Sequence, residues 1–136
     1  MTKEEAIDVI KDAGFGYLAT MEGNQPRVRP MMPYLTDDDQ FLAAFLGRAR
    51  ALEQIKKNPQ IEVCFVDRKM WYCRITGKAK LTEDLSKKEM LWEGIPMLKQ
   101  YFSGPQDKNF FMAEIEIEKL EAMTPHQKTP EFFNWK

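Results

Sequence analysis

The chain has 136 residues, of which 43% are hydrophobic and 30% are charged, and its formal net charge is -1. This length suits one domain with a real core, and the composition excludes intrinsic disorder. The balanced charge gives no attraction to nucleic acid, and no segment has the roughly 18 apolar residues needed to span a membrane. We therefore expect neither nucleic acid nor a membrane as a partner.

The N-terminal region predicts one helix followed by three strands. Thr2 and Glu5 form a capping-box pattern at the start of a helix over residues 3–13, which ends at Gly14. The apolar period then changes from helical to alternating. We expect strands, separated by turn clusters, over residues 15–21, 27–35 and 41–46.

Helices and strands alternate in the remainder of the chain. Two helices are expected over residues 51–58 and 83–102, the second weakened at Gly94 and Pro96. Strand patterns occupy residues 61–67 and 70–81, with a bulge at Gly77, and open the segment 110–123. Six short strands and three helices predict a mainly β (α+β) domain, an antiparallel barrel with peripheral helices.

The whole chain is interpreted as one domain, residues 1–136. We expect a core over residues 1–124 and a tail over residues 125–136 that contains prolines and ends in aromatic residues. Pro30 and Pro33 interrupt the second strand pattern, which indicates a bulged or edge strand because proline cannot donate to a sheet.

The cysteines and the N-terminus indicate a cytoplasmic protein. Cys64 and Cys73 each lie in an apolar or aromatic strand-like segment, so we expect buried free thiols rather than a disulfide. The N-terminal segment is charged throughout and lacks the apolar stretch of a signal peptide.

Several classes of catalytic site are excluded. His126, the only histidine, lies in the tail without a nucleophile motif beside it, which argues against a catalytic triad. Glycine-rich nucleotide motifs are absent. Two cysteines and one distant histidine make no zinc site, and we expect no metal. We assign no catalytic residue.

Four arginines are the candidate binding groups. Arg27 and Arg29 lie two positions apart on one predicted strand, so both side chains share a face. Arg48 and Arg50 follow the next strand and precede a helix, whose N-terminus carries partial positive charge. Guanidinium groups can clamp phosphate oxygens, so the pattern points to a phosphate site. The alternative is that all four arginines are solvated on unrelated surfaces.

Apolar residues flank these arginines on the neighbouring predicted strands: Met31, Met32, Phe45, Trp71 and Tyr72. Flat apolar walls with a polar anchor at one end suit a planar ring that carries a phosphate. The alternative is that these residues only build the core.

Three segments in this order, GYLAT before a turn, RVRPM, and ALEQIKKNPQIEV, resemble the pyridoxamine 5'-phosphate oxidase-like family of FMN-binding split barrels. The chain is most similar to the small general-stress-protein and nitroimidazole-resistance type. The resemblance runs from the first helix to about residue 82 and more loosely to FFMAEIEIEKLEAM. It implies a six-stranded antiparallel split barrel, an obligate homodimer, and FMN in a cleft between the two copies.

The resemblance also implies the residues that bind FMN: Arg29, Pro30, Met31, Met32, Ala43, Ala44, Phe45, Arg48, Ala49, Arg50 and Trp71. The first four would run beside the isoalloxazine ring, and the next three would flank the ring or the ribityl chain. The turn from Arg48 would hold the phosphate, and Trp71 would wall the ring. Relatives often carry a Ser-Arg-Lys-like triplet where this chain has Ala49, Arg50 and Ala51, so Arg48 is expected to replace the missing cation.

We therefore expect an FMN-dependent oxidoreductase that acts on a small molecule. The missing serine and lysine motivate an alternative, a module on the same barrel that holds a flavin, haem-like or other cofactor without turnover. In a further alternative no cofactor binds, and the arginines serve packing or partner docking. The apolar segment MMPYL and the aromatic EFFNW exceed what a monomer of this size would bury, which also predicts a homodimer.

Overall fold

The structure is a computed structural model that describes residues 1–135. These residues form three α-helices, a 3-10 helix and eight strands. In chain order the elements are α1 (Lys3–Ala13), β1 (Gly16–Glu22), β2 (Gln25–Met31), β3 (Pro33–Leu35), β4 (Phe41–Leu46), α2 (Ala51–Lys57), β5 (Gln60–Val66), β6 (Tyr72–Thr82), α3 (Leu85–Gly94), the 3-10 helix (Pro96–Gln100), β7 (Phe110–Met123) and β8 (Glu131–Phe133). No helix among these residues is long and apolar enough to cross a membrane.

The strands form one antiparallel sheet that curls into a split barrel. Its strand order is β2-β1-β5-β6-β7-β4-β3, and β8 pairs with β7. The strands β2 and β3 lie at opposite ends of this order, yet only Met32 separates them in the chain. The sheet must therefore curl until its two edges approach each other at Met32, which confirms the predicted fold class.

The sheet has eight strands rather than the six expected from the sequence. The pattern over residues 27–35 divides at Met32, because β2 pairs with β1 whereas β3 pairs with β4. The tail adds β8, which pairs with β7. Pro30 in β2 and Pro33 in β3 lie in the two end strands of the sheet, as proline requires, so the prediction of an edge strand is confirmed.

The first helix begins and ends where its sequence signals predict. The Glu5 N–H donates to the Thr2 hydroxyl (3.1 Å), and the Thr2 N–H donates to the Glu5 carboxylate (2.8 Å), which completes the capping box. Gly14 follows with a φ of 75°, a conformation that a side chain would strain. The chain then enters β1, which pairs with both β2 and β5.

The predicted helix over residues 83–102 divides into α3 and the 3-10 helix. The division follows Gly94, and Pro96 begins the new helix with its fixed φ. Both segments cover the outer face of β4 and β7 with a small apolar cluster: Leu42, Leu91, Ile95, Leu98, Phe102, Phe110 and Met112. The rings of Phe102 and Phe110 are stacked with centroids 4.7 Å apart, which anchors the end of the 3-10 segment.

The long strands β6 and β7 contain the predicted bulge. Their register shifts between Thr76 and Gly77. A Cβ atom on Gly77 would lie 2.3 Å from the carbonyl oxygen of Glu116, so no side chain fits there without a backbone shift. The bulge is confirmed, and close backbone approach explains the glycine.

The cysteines are free. Cys64 and Cys73 lie on paired strands, and their alternation places Cys73 in the core and Cys64 on the outer face. Burial raises the pKa of the Cys73 thiol to about 12 and also raises the pKa of Cys64. Both groups are therefore protonated thiols at neutral pH.

The C-terminal tail packs on its own chain. Trp135 joins the barrel core, and its carbonyl oxygen accepts a hydrogen bond from Lys3 Nζ (2.5 Å). The N-terminal amine pairs with Glu131 at 3.0 Å. Part of the apolar surface that the sequence assigned to an interface is thus buried within the chain. The last tail residue, Lys136, lies outside the described residues.

Candidate functional site

A cleft of about 490 Å³ opens where the edges of the sheet approach each other. Its lining comes from the ends of β2 and β4, the turn after β4, the residue before β1 and the 3-10 segment: Phe15, Arg29, Pro30, Met31, Met32, Ala44, Phe45, Leu46, Arg48, Ala49, Met97, Leu98, Tyr101 and Phe102. Arg29 and Arg48 are the only charged residues in the described part of this lining. Such a cleft suits a flat apolar group with an anionic end.

A second space, which we call the arginine groove, adjoins the cleft. Its volume is about 450 Å³, and among the described residues it is lined by Arg27, Arg29 and Arg50 but by no carboxylate. Arg29, Phe45 and Ala49 line both spaces, so the groove and the cleft share a wall. Burial, and then the charge of Arg50, lower the pKa of Arg29, which agrees with two guanidinium groups converging. An anion in the groove would relieve that repulsion.

Two arginines of the groove, Arg27 and Arg50, differ in their side-chain contacts. Arg27 pairs with Glu22 across 2.9 Å, and its hydrogen bond is the main cause that lowers the pKa of that carboxyl group. Arg50 is exposed and makes no side-chain hydrogen bond or ion pair within the described part of the chain. Of the two, Arg50 is therefore the one whose charge is open to an external anion.

Arg29 is anchored by buried polar groups. Its Nη1 donates to Thr20 Oγ1 at 2.7 Å and to the carbonyl oxygen of Leu18 at 3.2 Å, and its Nη2 donates to Gln54 Oε1 at 2.7 Å. Thr20 and Gln54 are only 1% and 4% exposed, and the Thr20 hydroxyl donates to Gln54 Oε1 at 2.6 Å. The guanidinium of Arg29 is thus fixed between β1 and α2.

Most of the residues predicted to bind the cofactor meet at these two spaces. Eight of the eleven line the cleft: Arg29, Pro30, Met31, Met32, Ala44, Phe45, Arg48 and Ala49. Arg50 lines the adjoining groove.

Two of the predicted residues lie elsewhere. Ala43 is fully buried in the barrel core, where it pairs with Pro33 and Ala113. Trp71 lies at the β5–β6 hairpin, with Lys69 Nζ 4.0 Å from its ring centroid, and is not part of the cleft lining.

Sequence reasoning missed one wall of the cleft. Met97, Leu98, Tyr101 and Phe102 come from the 3-10 segment and the residues after it. The available signal was Pro96, which breaks the helix and turns Met97 and Tyr101 outward, where they are 38% and 56% exposed. Exposed apolar side chains beside an apolar cleft indicate a surface that something covers.

The anchors of Arg29 were also missed. Gln54 is a polar residue within the buried side of α2, among Ala51, Leu52 and Ile55. A polar side chain in an apolar helical stripe indicates a buried hydrogen-bond partner, which here includes Arg29.

Comparison with known proteins relates the chain to one family. The family model described as pyridoxamine 5'-phosphate oxidase matches residues 2–124. General stress protein 26 of Bacillus subtilis (strain 168) is 27% identical over 135 residues, covering 94% of this chain and 92% of that protein. A crystal structure of a NimC/NimA family protein from Clostridium acetobutylicum superposes with a TM-score of 0.83 and 25% identity, covering 96% of this chain and 91% of that one.

Two more distant structures share the fold, and their names include ligands. A pyridoxamine 5'-phosphate oxidase-related, FMN binding protein from Nostoc punctiforme has a TM-score of 0.71 and 16% identity, covering 95% of this chain and 86% of that one. A heme binding protein from Mycobacterium smegmatis has a TM-score of 0.81 and 13% identity, covering 96% of this chain and 57% of that one. At these identities the likeness concerns the fold.

Proposed function

The chain belongs to the pyridoxamine 5'-phosphate oxidase family, and we propose that it binds FMN and uses it for redox chemistry on a small molecule. The observation that carries this proposal is the junction between the apolar cleft and the arginine groove. A flavin ring needs a flat apolar slot, and its phosphate needs cations at one end of that slot. A structural neighbour that is named FMN binding has the same fold.

Different residues at this junction would bind different parts of FMN. Arg29 and Arg50 would hold the phosphate in the arginine groove, and Arg48 would add positive charge from the cleft side. Met32 and Phe45 would pack against the ring. When bound, FMN supplies hydride and electron transfer, whereas the chain binds it, orients it and excludes water.

The cleft offers little acid–base chemistry of its own. Within the described residues its lining contains no His, Asp, Glu, Lys or Cys, and Tyr101 is the one phenol. This composition favours hydride or electron transfer over a reaction that depends on a side-chain acid or base.

We propose that a second copy of the chain completes the site. Tyr17, Val28 and Val66 project from the outer face of β1, β2 and β5, and Met70 projects from the adjoining hairpin. All four are exposed, and Tyr17, Val28 and Val66 share one face of the sheet, which is typical of an interface. Val28 also lines the arginine groove, so a copy seated on this face would lie beside that groove.

The proposed setting is the cytoplasm. Cys64 and Cys73 are unpaired and lie on opposite faces of the sheet. Unpaired thiols are maintained in a reducing compartment.

One alternative function is a module that holds a cofactor without turnover. Ala49 and Ala51, which stand where relatives often carry a serine and a lysine, favour it, and a neighbour with this fold is named for heme binding. Steady oxidation of NADH or NADPH by the FMN-loaded protein, with a quinone or dye as acceptor, would exclude this alternative.

The proposed function is tested by titrating the protein with FMN and with riboflavin, which lacks the phosphate. We expect visible flavin absorption from the FMN complex. Arg50→Ala should weaken FMN binding about tenfold, since a charged hydrogen bond is lost, and leave riboflavin binding unchanged. Lys11→Ala removes an exposed cation on α1 that lines neither space, and this control variant should change neither affinity. An unaltered protein that binds no FMN would contradict the proposal.

A further inference from the structure

The buried pair Thr20 and Gln54 touches only one edge of the Arg29 guanidinium. Thr20 Oγ1 accepts a hydrogen bond from Nη1, Gln54 Oε1 accepts one from Nη2, and these two oxygens lie 2.6 Å apart. They therefore lie together at the edge between the two terminal nitrogens. The second Nη1 proton points to the carbonyl oxygen of Leu18.

The N–H donors on the opposite edge of the guanidinium have no acceptor within the described residues. A guanidinium has five N–H donors in a rigid plane, so Nε–H and the second Nη2 proton remain. No side chain or carbonyl group within residues 1–135 accepts from Nε of Arg29. Two parallel N–H groups on one edge are the arrangement that clamps a phosphate. Arg29 lines both the cleft and the arginine groove, where such an edge would meet a ligand.

The orientation of the Gln54 amide is itself fixed. Its Nε2 donates to Glu22 Oε2 at 3.1 Å, and an ionised carboxylate accepts but cannot donate. The low pKa of Glu22, caused mainly by the hydrogen bond from Arg27, keeps it ionised. The amide oxygen must therefore face Arg29 and the Thr20 hydroxyl, and a reversed amide would place two donors against each other.

We propose that Thr20 and Gln54 are positioning residues that turn the Nε–Nη2 edge of Arg29 toward the phosphate of the bound cofactor. This inference rests on the proposed FMN binding. The pair acts through Arg29, because both side chains are buried and neither lines the cleft. Orienting the guanidinium before binding lowers the entropic cost of forming the bidentate contact.

The test compares Thr20→Val, which keeps the shape but removes the hydroxyl, with Thr20→Ser, which keeps the hydroxyl. Dissociation constants for FMN and riboflavin are measured by flavin fluorescence, alongside the thermal unfolding midpoint. We expect Thr20→Val to weaken FMN binding about tenfold while riboflavin binding stays within about twofold, and Thr20→Ser to restore FMN affinity. Gln54→Met, of similar length, should repeat the effect of Thr20→Val and serves if that variant does not fold.

Several results would overturn the inference. FMN affinity could be unchanged in both Thr20→Val and Gln54→Met, or FMN and riboflavin affinities could fall equally. Failure of both variants to fold would assign the pair a structural role only. These results differ from failure of the proposed function, in which the unaltered protein binds no FMN.

Discussion

At the residue scale, two arginines of the groove have different environments. Arg29 is partly buried and donates to Leu18, Thr20 and Gln54, whereas Arg50 is exposed and has no such partners within the described chain. We infer that Arg29 contributes a fixed guanidinium orientation to phosphate binding and that Arg50 contributes mainly its positive charge. Lysine tests this difference, because its compact ammonium keeps the charge but cannot reproduce the planar fork.

We predict that Arg29→Lys weakens FMN binding by about tenfold or more, because the bidentate edge and its anchors are lost. Arg50→Lys is the matched variant and should weaken binding by less than about threefold, since the charge is kept. Fluorescence titration with FMN measures both. A loss of less than about threefold in Arg29→Lys would contradict this, because it would show that Arg29 acts through charge alone.

At the element scale, the tail is a structural part of the barrel. Its strand β8 pairs with β7. Trp135 is 9% exposed and lies in the core, while Phe132 on β8 is 55% exposed. Trp135 lines a groove that includes Gln40 and Phe41 and shares no residue with the cleft. The tail therefore stabilises the fold through residues that are not part of the cleft lining.

We predict that Trp135→Ala lowers the free energy of unfolding by about 3 kcal/mol, because a buried indole is removed from the core. Phe132→Ala is the control and should cost less than about 1 kcal/mol. Urea denaturation measures both, and FMN affinity of the folded fraction should not change. Strong loss of FMN affinity in Trp135→Ala would instead place the tail in the site.

At the scale of the whole molecule, the helices cover some parts of the sheet and leave others exposed. α1 packs against β5 and β6, α2 against β1 and β6, and α3 covers the outside of β4. No helix of the described chain covers the outer face from which Tyr17, Val28 and Val66 project. The proposed second copy would bury this face and add a wall to the cleft.

We predict a mass in solution of twice the 16.0 kDa chain by light scattering. Tyr17→Asp should give a monomer with weakened FMN binding, because a carboxylate cannot be buried unpaired at an interface. Leu85→Asp is the matched control: Leu85 is 50% exposed, close to the 52% of Tyr17, but it lies on α3. A monomeric unaltered protein, or dimer loss in both variants, would contradict the proposed interface.

The sequence by itself determined the features that depend on neighbouring residues. The Thr2 capping box, the end strands with Pro30 and Pro33, and the bulge at Gly77 each follow from local backbone chemistry. Most of the cleft residues on β2 and β4 could also be named, since strand alternation and the resemblance indicated them.

Only the tertiary structure decided how distant segments meet. Closure of the sheet at Met32, the cleft wall around Tyr101, and the contact of Arg29 with Gln54, 25 positions away, all depend on how the sheet curls. Trp135 likewise lies in the core only because β8 pairs with β7. Residue patterns record periodicity and turns, whereas the curvature of a sheet results from the packing of all its strands together.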